Sequence, residues 1–209
     1  MPFDLGFNFR STAGYVTDPA YGVPVLGESY PHTYTNANGD SINAGWTDVT
    51  NFVVANRSAT NDPRIAGVNF QNTQDATDTF QVDLASGSNP GAGAYTIDIA
   101  WGDHSVFMRG SYILYDNTTS LISSGTQALN NGQYIDATGA LVTATTTWTG
   151  ATASKTFATT TAKLTSTGAH LGGYSGFPVL AHFRLTLQAG GGGQSVVPVL
   201  MAQYRQRGA

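Results

Sequence analysis

An aspartate, a histidine and a serine stand side by side at Asp103, His104 and Ser105, and these are the residue types of a hydrolytic triad. Nucleophilic catalysis needs a hydrogen bond from serine to histidine and a carboxylate that orients the imidazole. Consecutive side chains of an extended chain point to opposite faces, so these neighbours cannot readily make both bonds among themselves. No GxSxG motif presents a serine either. We predict that Gly102 and Asp103 form the turn that ends a strand, with Asp103 capping loop amides, and that the protein is not an enzyme.

The acidic residues give little support for glycoside hydrolysis, which needs two carboxyl groups at a defined separation. Glu28 is the only glutamate among the 13 acidic residues, so the other 12 are aspartates. Most of these fall in turn contexts such as Asp62-Pro63 and Asp116-Asn117. The pattern does not favour a glycosidase or a lyase.

Metal ligands and cofactor motifs are not recognisable in the sequence. The turn "NANGD" offers oxygen atoms at Asn36, Asn38 and Asp40 in the alternation of a calcium loop, but one carboxylate is little charge for such a site. A plain turn is therefore favoured, and we expect no metal and no cofactor. The four histidines share no transition-metal spacing; they are His32, His104, His170 and His182. His182 lies in an apolar strand pattern, which predicts a hydrogen-bonded core or interface histidine.

Composition excludes several classes of protein. Only 11% of the residues are charged and the net charge is -4, with Lys and Arg scattered singly, so nucleic-acid binding through phosphates is not expected. The sequence has one glutamate and two lysines, too few to form the charged solvent face of an ordinary amphipathic helix. Helices of this kind are therefore not expected. The absence of cysteine excludes disulfides and thiolate metal sites. No secretion leader or membrane span is recognisable, so no membrane partner is expected.

Period-two alternation of apolar residues predicts an all-β protein, a jelly-roll β-sandwich with long loops and an extended C-terminal arm. The irregular loop over 11–41 is the longest, and a loop of that length is often functional. One strand is expected to end at Trp46. The other predicted strands cover residues 3–9, 64–71, 79–85, 94–101, 106–115, 120–124, 133–135, 141–148, 155–159, 162–165 and 178–187.

Three units follow from the composition: a sandwich over 1–188, a Gly-rich linker over 189–194 and an arm over 195–209. The arm is apolar and then basic, so it should dock either on its own sheet or on a neighbouring subunit; both alternatives stay open. Docking on a neighbour would make the protein a homo-oligomer, with a trimer favoured. The residues that would form this inter-subunit arm are Val196, Val197, Val199, Leu200, Met201, Tyr204, Arg205 and Arg207.

Five tyrosines in glycine-rich or polar loops are candidate glycan-binding residues. A flat aromatic ring can stack on the apolar face of a pyranose while neighbouring polar groups bind its hydroxyls. Each tyrosine taken alone is more often a packing residue, so the prediction concerns the group. Its members are Tyr15, Tyr21, Tyr30, Tyr34 and Tyr174.

The segments "FNFR", "GYVTD", "AGWTD", "RIAGVNF" and "TFQVDLASGSNPGAGAYTIDIAWGD" together resemble the malectin-like, galactose-binding-like jelly rolls. Such domains occur beside carbohydrate-active enzymes, in plant receptor ectodomains and in phage structural proteins. The resemblance covers about residues 3–188, although the relatives' "FDFG" reads "FNFR" here. It implies a non-catalytic sandwich that binds glycans or proteins with loops at one end.

Together these features favour a non-enzymatic structural protein of a phage virion, made in the host cytoplasm. It would decorate or cement the capsid surface, contact host glycans, and have other virion proteins such as a major capsid protein as partners. The alternative is a carbohydrate-binding module of a phage tail or of a secreted carbohydrate-active enzyme.

Overall fold

The computed structural model describes residues 4–10, 22–36, 39–57, 62–85 and 91–188. Over these ranges the chain forms strands, turns and loops, and none of it is a helix of the length and apolarity that crosses a membrane. The strands found there are β1 (Asp4–Phe9), β2 (Val23–Val25), β3 (His32–Thr35), β4 (Ser41–Trp46), β5 (Phe52–Asn56), β6 (Gly67–Gln71), β7 (Thr77–Asp83), β8 (Gly93–Ala100), β9 (Met108–Asp116), β10 (Thr119–Ser123), β11 (Gln127–Leu129), β12 (Gln133–Ile135), β13 (Leu141–Thr143), β14 (Ala153–Phe157), β15 (Thr161–Gly168), β16 (Val179–Leu180) and β17 (His182–Leu187).

Two large sheets form the sandwich. Sheet A has the order β14-β8-β17-β1-β2, and sheet B has the order β10-β9-β15-β7-β4-β3, with β11 also paired to β9. Apart from the short strands β10–β13 and β16, the chain alternates between them from β7 onwards: β7, β9 and β15 lie in sheet B, and β8, β14 and β17 lie in sheet A. This alternation is that of a jelly roll. The prediction of an all-β sandwich is confirmed.

The core lies between the sheets and is rich in aromatic rings. Phe7 and Phe9 of β1 reach across from sheet A to Phe80 of β7, with ring centroids 5.0 and 4.9 Å apart. Trp46 of β4 lies 5.5 Å from both Phe9 and Phe80. All four side chains are buried, as the alternation of the strands requires.

A second, smaller cluster covers part of the outer face of sheet A. It consists of Ile65, Ala100, Tyr134, Ala144, Trp148 and Ala181. Because the loops around Ile65 and Trp148 lie over the end of the β8–β17 pair, polar side chains on this part of the outer face are buried as well. They include Asn8, Asp98 and His182.

Several strand predictions need correction. The strand predicted over 141–148 ends at Thr143, and Trp148 lies in a loop that packs on sheet A. The strand predicted from Arg64 begins at Gly67. The predicted loop over 11–41 contains β2 and β3, which are short and pair with other strands; Pro24 is tolerated in β2 because this is an edge strand. The linker over 189–194 and the arm over 195–209 lie outside the described residues.

Candidate functional site

The run Asp103-His104-Ser105 forms a turn and not a triad. Asp103 is 3% exposed, and its carboxylate accepts the Ser105 N–H at 2.9 Å. The same carboxylate accepts two hydrogen bonds from one edge of the Arg57 guanidinium, from Nε to Oδ1 at 2.7 Å and from Nη2 to Oδ2. The predicted turn with Asp103 capping a loop amide is confirmed. Arg57 was missed because it is 46 residues away in sequence.

His182 is a buried, hydrogen-bonded histidine, as predicted. Its side chain is fully buried, and Nδ1 lies 2.7 Å from Oδ1 of Asn8 on the neighbouring strand β1. Its Nε2 lies 3.5 Å from Oδ2 of Asp98 on the other neighbouring strand, β8. The register of the three strands places these polar groups together on the outer face of sheet A.

Asp98 joins this histidine to the covering loops. The Trp148 indole donates to Oδ1 at 2.9 Å, and Arg64 Nη1 lies 3.4 Å from Oδ2. Burial disfavours the charged carboxylate, but the hydrogen bond and charge of His182, the indole and the Arg64 charge outweigh it. The pKa of Asp98 therefore lies below its usual range.

Arg64 forms ion pairs with two aspartates, and this indicates that the cluster has a structural role. Besides Asp98 it binds Asp62, with Nε 2.9 Å from Oδ1 and Nη2 2.7 Å from Oδ2. Burial opposes ionisation of Asp62, but the Arg64 hydrogen bonds and the Trp148 N–H lower its pKa. An open cleft of about 380 Å³ lies beside this network, lined by Arg64, Thr96, Asp98, Thr152, Arg184 and Thr186. Asp62 and Asp98 thus both bind Arg64 within this network.

The turn predicted at "NANGD" closes on its own side chains. Asn36 Oδ1 accepts the Asp40 N–H at 2.9 Å, and Asn36 Nδ2 donates to Asp40 Oδ2 at 3.2 Å. These contacts support a plain turn rather than a calcium loop. Asn38 lies outside the described residues. Across the ranges that the structure describes, no three His, Asp or Glu side chains form a metal-binding group.

The candidate tyrosines occupy different environments. Tyr34 lies in the core at 6% exposure, next to Phe7, and its hydroxyl donates to Glu28 Oε2 at 2.9 Å. Burial, together with the Glu28 charge, raises the pKa of Tyr34. Tyr34 is thus a packing residue and cannot offer a ring face to a ligand. Tyr30 is half-buried, and its N–H donates to the Trp46 carbonyl at 2.8 Å.

Tyr15 and Tyr21 lie outside the described residues, as do all the predicted arm residues.

Tyr174, which is itself half-buried, belongs to an apolar group at one end of the sandwich whose other members are exposed. Its ring packs edge-on against Phe107, with centroids 6.0 Å apart. Leu171 faces Tyr174 across the two-glycine turn between them. Phe107 is 47% exposed and Leu171 is 60% exposed. We call Phe107, Leu171 and Tyr174 the aromatic platform. Phe107 was expected inside a strand over 106–115, but β9 begins one residue later.

The platform stands on a firmly held loop, residues 169–177, which we call the Tyr174 loop. On one side it pairs with the start of β9: the Ser175 N–H donates to the Phe107 carbonyl at 2.8 Å, and the Arg109 N–H donates to the Ser175 carbonyl at 2.8 Å. The loop also folds tightly on itself. A Cβ atom at Gly168 would lie 1.8 Å from the Gly176 carbonyl oxygen, so only glycine fits there.

On its other side the Tyr174 loop is held by the loop over 72–76. Gln74 Oε1 accepts the Gly176 N–H at 2.6 Å, and Asp75 Oδ1 accepts the His170 N–H at 2.5 Å. These contacts place an exposed polar rim beside the aromatic platform; it comprises Asn72, Thr73, Gln74, Asp75 and His170. The arrangement can present apolar surface to a ligand and polar groups to its edges.

Comparisons with known proteins include a likeness to a solved structure. No family model matches the sequence, and no curated protein matches it. The solved structure of a family 35 carbohydrate-binding module from Clostridium thermocellum is similar, with a TM-score of 0.40 and 11% identity over 77% of this chain and 100% of that one. Since one fold can host many unrelated functions, a functional inference has to come from the site.

Proposed function

We propose that the protein is a non-catalytic carbohydrate-binding module that holds a sugar ring on the aromatic platform. The observation that supports this most directly is the exposure of Phe107 and Leu171 beside Tyr174 on a loop held by hydrogen bonds from both sides. Exposed apolar side chains in contact with one another, with a polar rim, are typical of binding sites. Aromatic rings favour the apolar face of a pyranose, and the rim can bind its hydroxyls.

The size of the platform fits a small ligand better than a protein. A large side chain exposes at most about 150–250 Å² of surface. About half of that area is free at Phe107 and Leu171 and less is free at Tyr174, so the platform offers on the order of 200–300 Å². A stable protein interface takes about 800 Å² from each partner. The platform therefore matches one or two sugar rings.

The fixed loop also lowers the cost of binding. Backbone hydrogen bonds and the side chains of Gln74 and Asp75 already hold the Tyr174 loop in place. A binding surface that is ordered beforehand loses less entropy when the ligand arrives. Weak contacts to a single sugar can then yield measurable affinity.

The test is binding of the full chain to a glycan array, followed by calorimetric titration with each glycan that binds. Phe107→Ala and Tyr174→Ala are each expected to weaken binding about tenfold or more, because each removes a ring contact of about 1.4 kcal/mol. Tyr115→Ala is the matched control, since Tyr115 is a half-buried tyrosine on the outer face of sheet B. No bound glycan, or equal affinity in all three variants, would refute the proposal.

Capsid decoration and assembly into a trimer remain predictions. They depend on the arm over 195–209, which lies outside the described residues. The virion location and the capsid partner likewise stay predictions.

A further inference from the structure

Strand β14 has one edge that no described strand covers. It is the first strand of sheet A and pairs with β8 on one side only. Its middle residues Ser154, Lys155 and Thr156 are exposed. An uncovered edge presents unpaired backbone groups with which another strand can pair, and proteins usually cover such edges. The edge of β14 is therefore a candidate docking surface for an extended segment.

The hydrogen bonds of β8 show which backbone groups lie at this edge. The Ala94 carbonyl accepts an N–H from the residue that follows β17, at 2.9 Å, so the backbone of Ala94 points towards β17. Backbone polar groups alternate in direction along a strand, so those of Tyr95 point towards its partner Lys155 on β14. By the same alternation, the N–H and C=O groups of Ser154 and Thr156 point away from β8. Within the described ranges, no backbone group pairs with these four.

The last described residue lies near this edge. Gln188 follows β17, is level with Thr156 across β8, and its side-chain amide donates to Ser154 Oγ at 2.9 Å. The outer side of β14 is three strand spacings away, or about 14 Å. The Gly-rich linker over 189–194 spans up to about 20 Å when extended. The arm over 195–209 can therefore reach the edge of β14 in its own chain.

The opposite edge of sheet A fits the linker less well. That edge is β2, which has three residues. Its first residue, Val23, pairs with Phe7, and Phe7 pairs with Phe183, five residues before Gln188. Five residues of strand add about 17 Å to a crossing of about 14 Å, so the direct path is about 22 Å. This exceeds what the linker spans.

We propose that the arm adds to sheet A of its own chain as a strand antiparallel to β14. The direction follows from the topology. Because β17 and β14 both run antiparallel to β8, a chain that leaves β17 and turns back beside β14 runs opposite to β14. A short flexible linker gives an effective concentration of about 1 mM, so the arm's own sheet is favoured over a second copy in dilute solution.

The single proline of the arm restricts the register. Pro198 has no N–H, so it has to stand where the backbone of the arm points away from β14. Its neighbours Val197 and Val199 then point towards the edge, opposite Thr156 and Ser154. Two N–H and two C=O groups on each side make four hydrogen bonds in this arrangement.

This register gives the arm an apolar inner side. Val196 and Leu200 lie opposite Phe157 and Ala153, both of which contact the core. The proline between them lies opposite Lys155 and adds no second positive charge. The arm would thus cover its apolar side chains as well as the open edge. The proposal does not depend on the proposed function.

Introduced thiols test the pairing directly, because the chain has no cysteine. Ser154→Cys combined with Val199→Cys should form a disulfide within one chain on mild oxidation, since facing Cα atoms of such a pair are about 5.5 Å apart. Non-reducing electrophoresis and peptide mapping identify the bridge. The control combines Val199→Cys with Ser123→Cys, an exposed position on β10 at the edge of sheet B, and should form its bridge at least about tenfold more slowly.

Amide hydrogen exchange, followed by NMR on the full chain, gives a readout without cysteines. The Ser154 and Thr156 N–H groups should exchange about tenfold faster or more once residues 195–209 are deleted, because each loses its acceptor. Val197→Pro should act like the deletion, since it removes a donor at the edge. The control Val196→Pro changes a position whose N–H points away from β14, and it should keep the protection.

Three results would overturn the proposal. The first is an unchanged exchange rate at Ser154 and Thr156 after the deletion. The second is a control thiol pair that forms its bridge as fast as the pair at Ser154 and Val199. The third is a bridge at Ser154 and Val199 that joins two chains, which would place the arm on a second copy.

Discussion

Replacing Asp98 should destabilise the fold more than replacing any exposed acid. Asp98→Ala removes the oxygen atom that accepts the N–H of the buried Trp148 indole. It also removes the negative charge that lies beside Arg64 and His182. Breaking a buried charge cluster by deleting one partner costs about 3–5 kcal/mol. For a chain of this length that corresponds to a fall in Tm of roughly 6–20 °C. Asp98→Asn keeps the shape of the side chain and an oxygen atom that can accept the Trp148 N–H. We therefore expect this variant to lose about 1–3 kcal/mol of unfolding free energy.

The pH dependence gives a sharper result. Because the pKa of Asp98 is lower in the folded protein than in the unfolded chain, its ionised form stabilises the fold above the unfolded value of about 3.9. This contribution is lost as the pH falls through the folded pKa. The difference in unfolding free energy between the wild type and Asp98→Asn should therefore be larger at about pH 5 than below about pH 4, where it should shrink.

Urea unfolding of the wild type, Asp98→Ala and Asp98→Asn across this pH range measures both effects. Asp83→Ala is the control, since the Asp83 carboxylate accepts an N–H from Ala85 at a more exposed turn, and its cost should stay below about 1 kcal/mol. The reasoning fails if Asp98→Ala is as stable as this control. It also fails if the gap between the wild type and Asp98→Asn is unchanged at acid pH.

Two further changes probe the turns at the platform end and beside it. Gly168→Ala would place a methyl group 1.8 Å from the Gly176 carbonyl oxygen. Thermal unfolding should therefore show a loss of about 1–3 kcal/mol of stability, and titration should show weaker glycan binding. The control Gly173→Ala, whose added methyl group meets nothing within 4 Å, should change neither stability nor glycan binding. Asp103→Ala should cost about 2–4 kcal/mol in urea unfolding because it leaves Arg57 without its carboxylate, whereas Ser105→Ala should stay within about 0.5 kcal/mol.

The long strands could be predicted from the sequence because each buries one face. In β7 and β8 the apolar side chains alternate with polar ones, and the buried set Phe80, Val82, Tyr95 and Ile97 follows that alternation without a break. A shift of one residue would turn the whole set outwards. The sequence pattern therefore determines which face is inside.

The short strands and the covering loops could not be predicted in this way. Strands β2 and β3 have three and four residues, too few for a periodic pattern to stand out. The loop at Trp148 is held over sheet A by contacts with Asp62 and Asp98, which are 86 and 50 residues away. Such pairings depend on the finished sandwich and leave no local signal.

The site was predicted only in part. Tyr174 could be selected because an aromatic residue among glycines has few packing partners in its own segment. The exposure of Phe107 could not be predicted, because a residue beside a strand continues the apolar pattern of that strand until the structure shows where pairing begins. Burial of Tyr34 was likewise hidden, since its position depends on Phe7, far away in sequence.

The position of the aromatic platform at one end of the sandwich has a physical reason. The inner faces are filled by the core, and polar groups on the outer faces already bind one another. On sheet B, for example, the Thr77 and Thr167 hydroxyls are 3.0 Å apart and those of Thr79 and Thr165 are 2.9 Å apart. A ligand on these faces would have to displace existing hydrogen bonds, which offsets what it gains. At the strand ends, the exposed platform allows a ligand to add contacts without removing any.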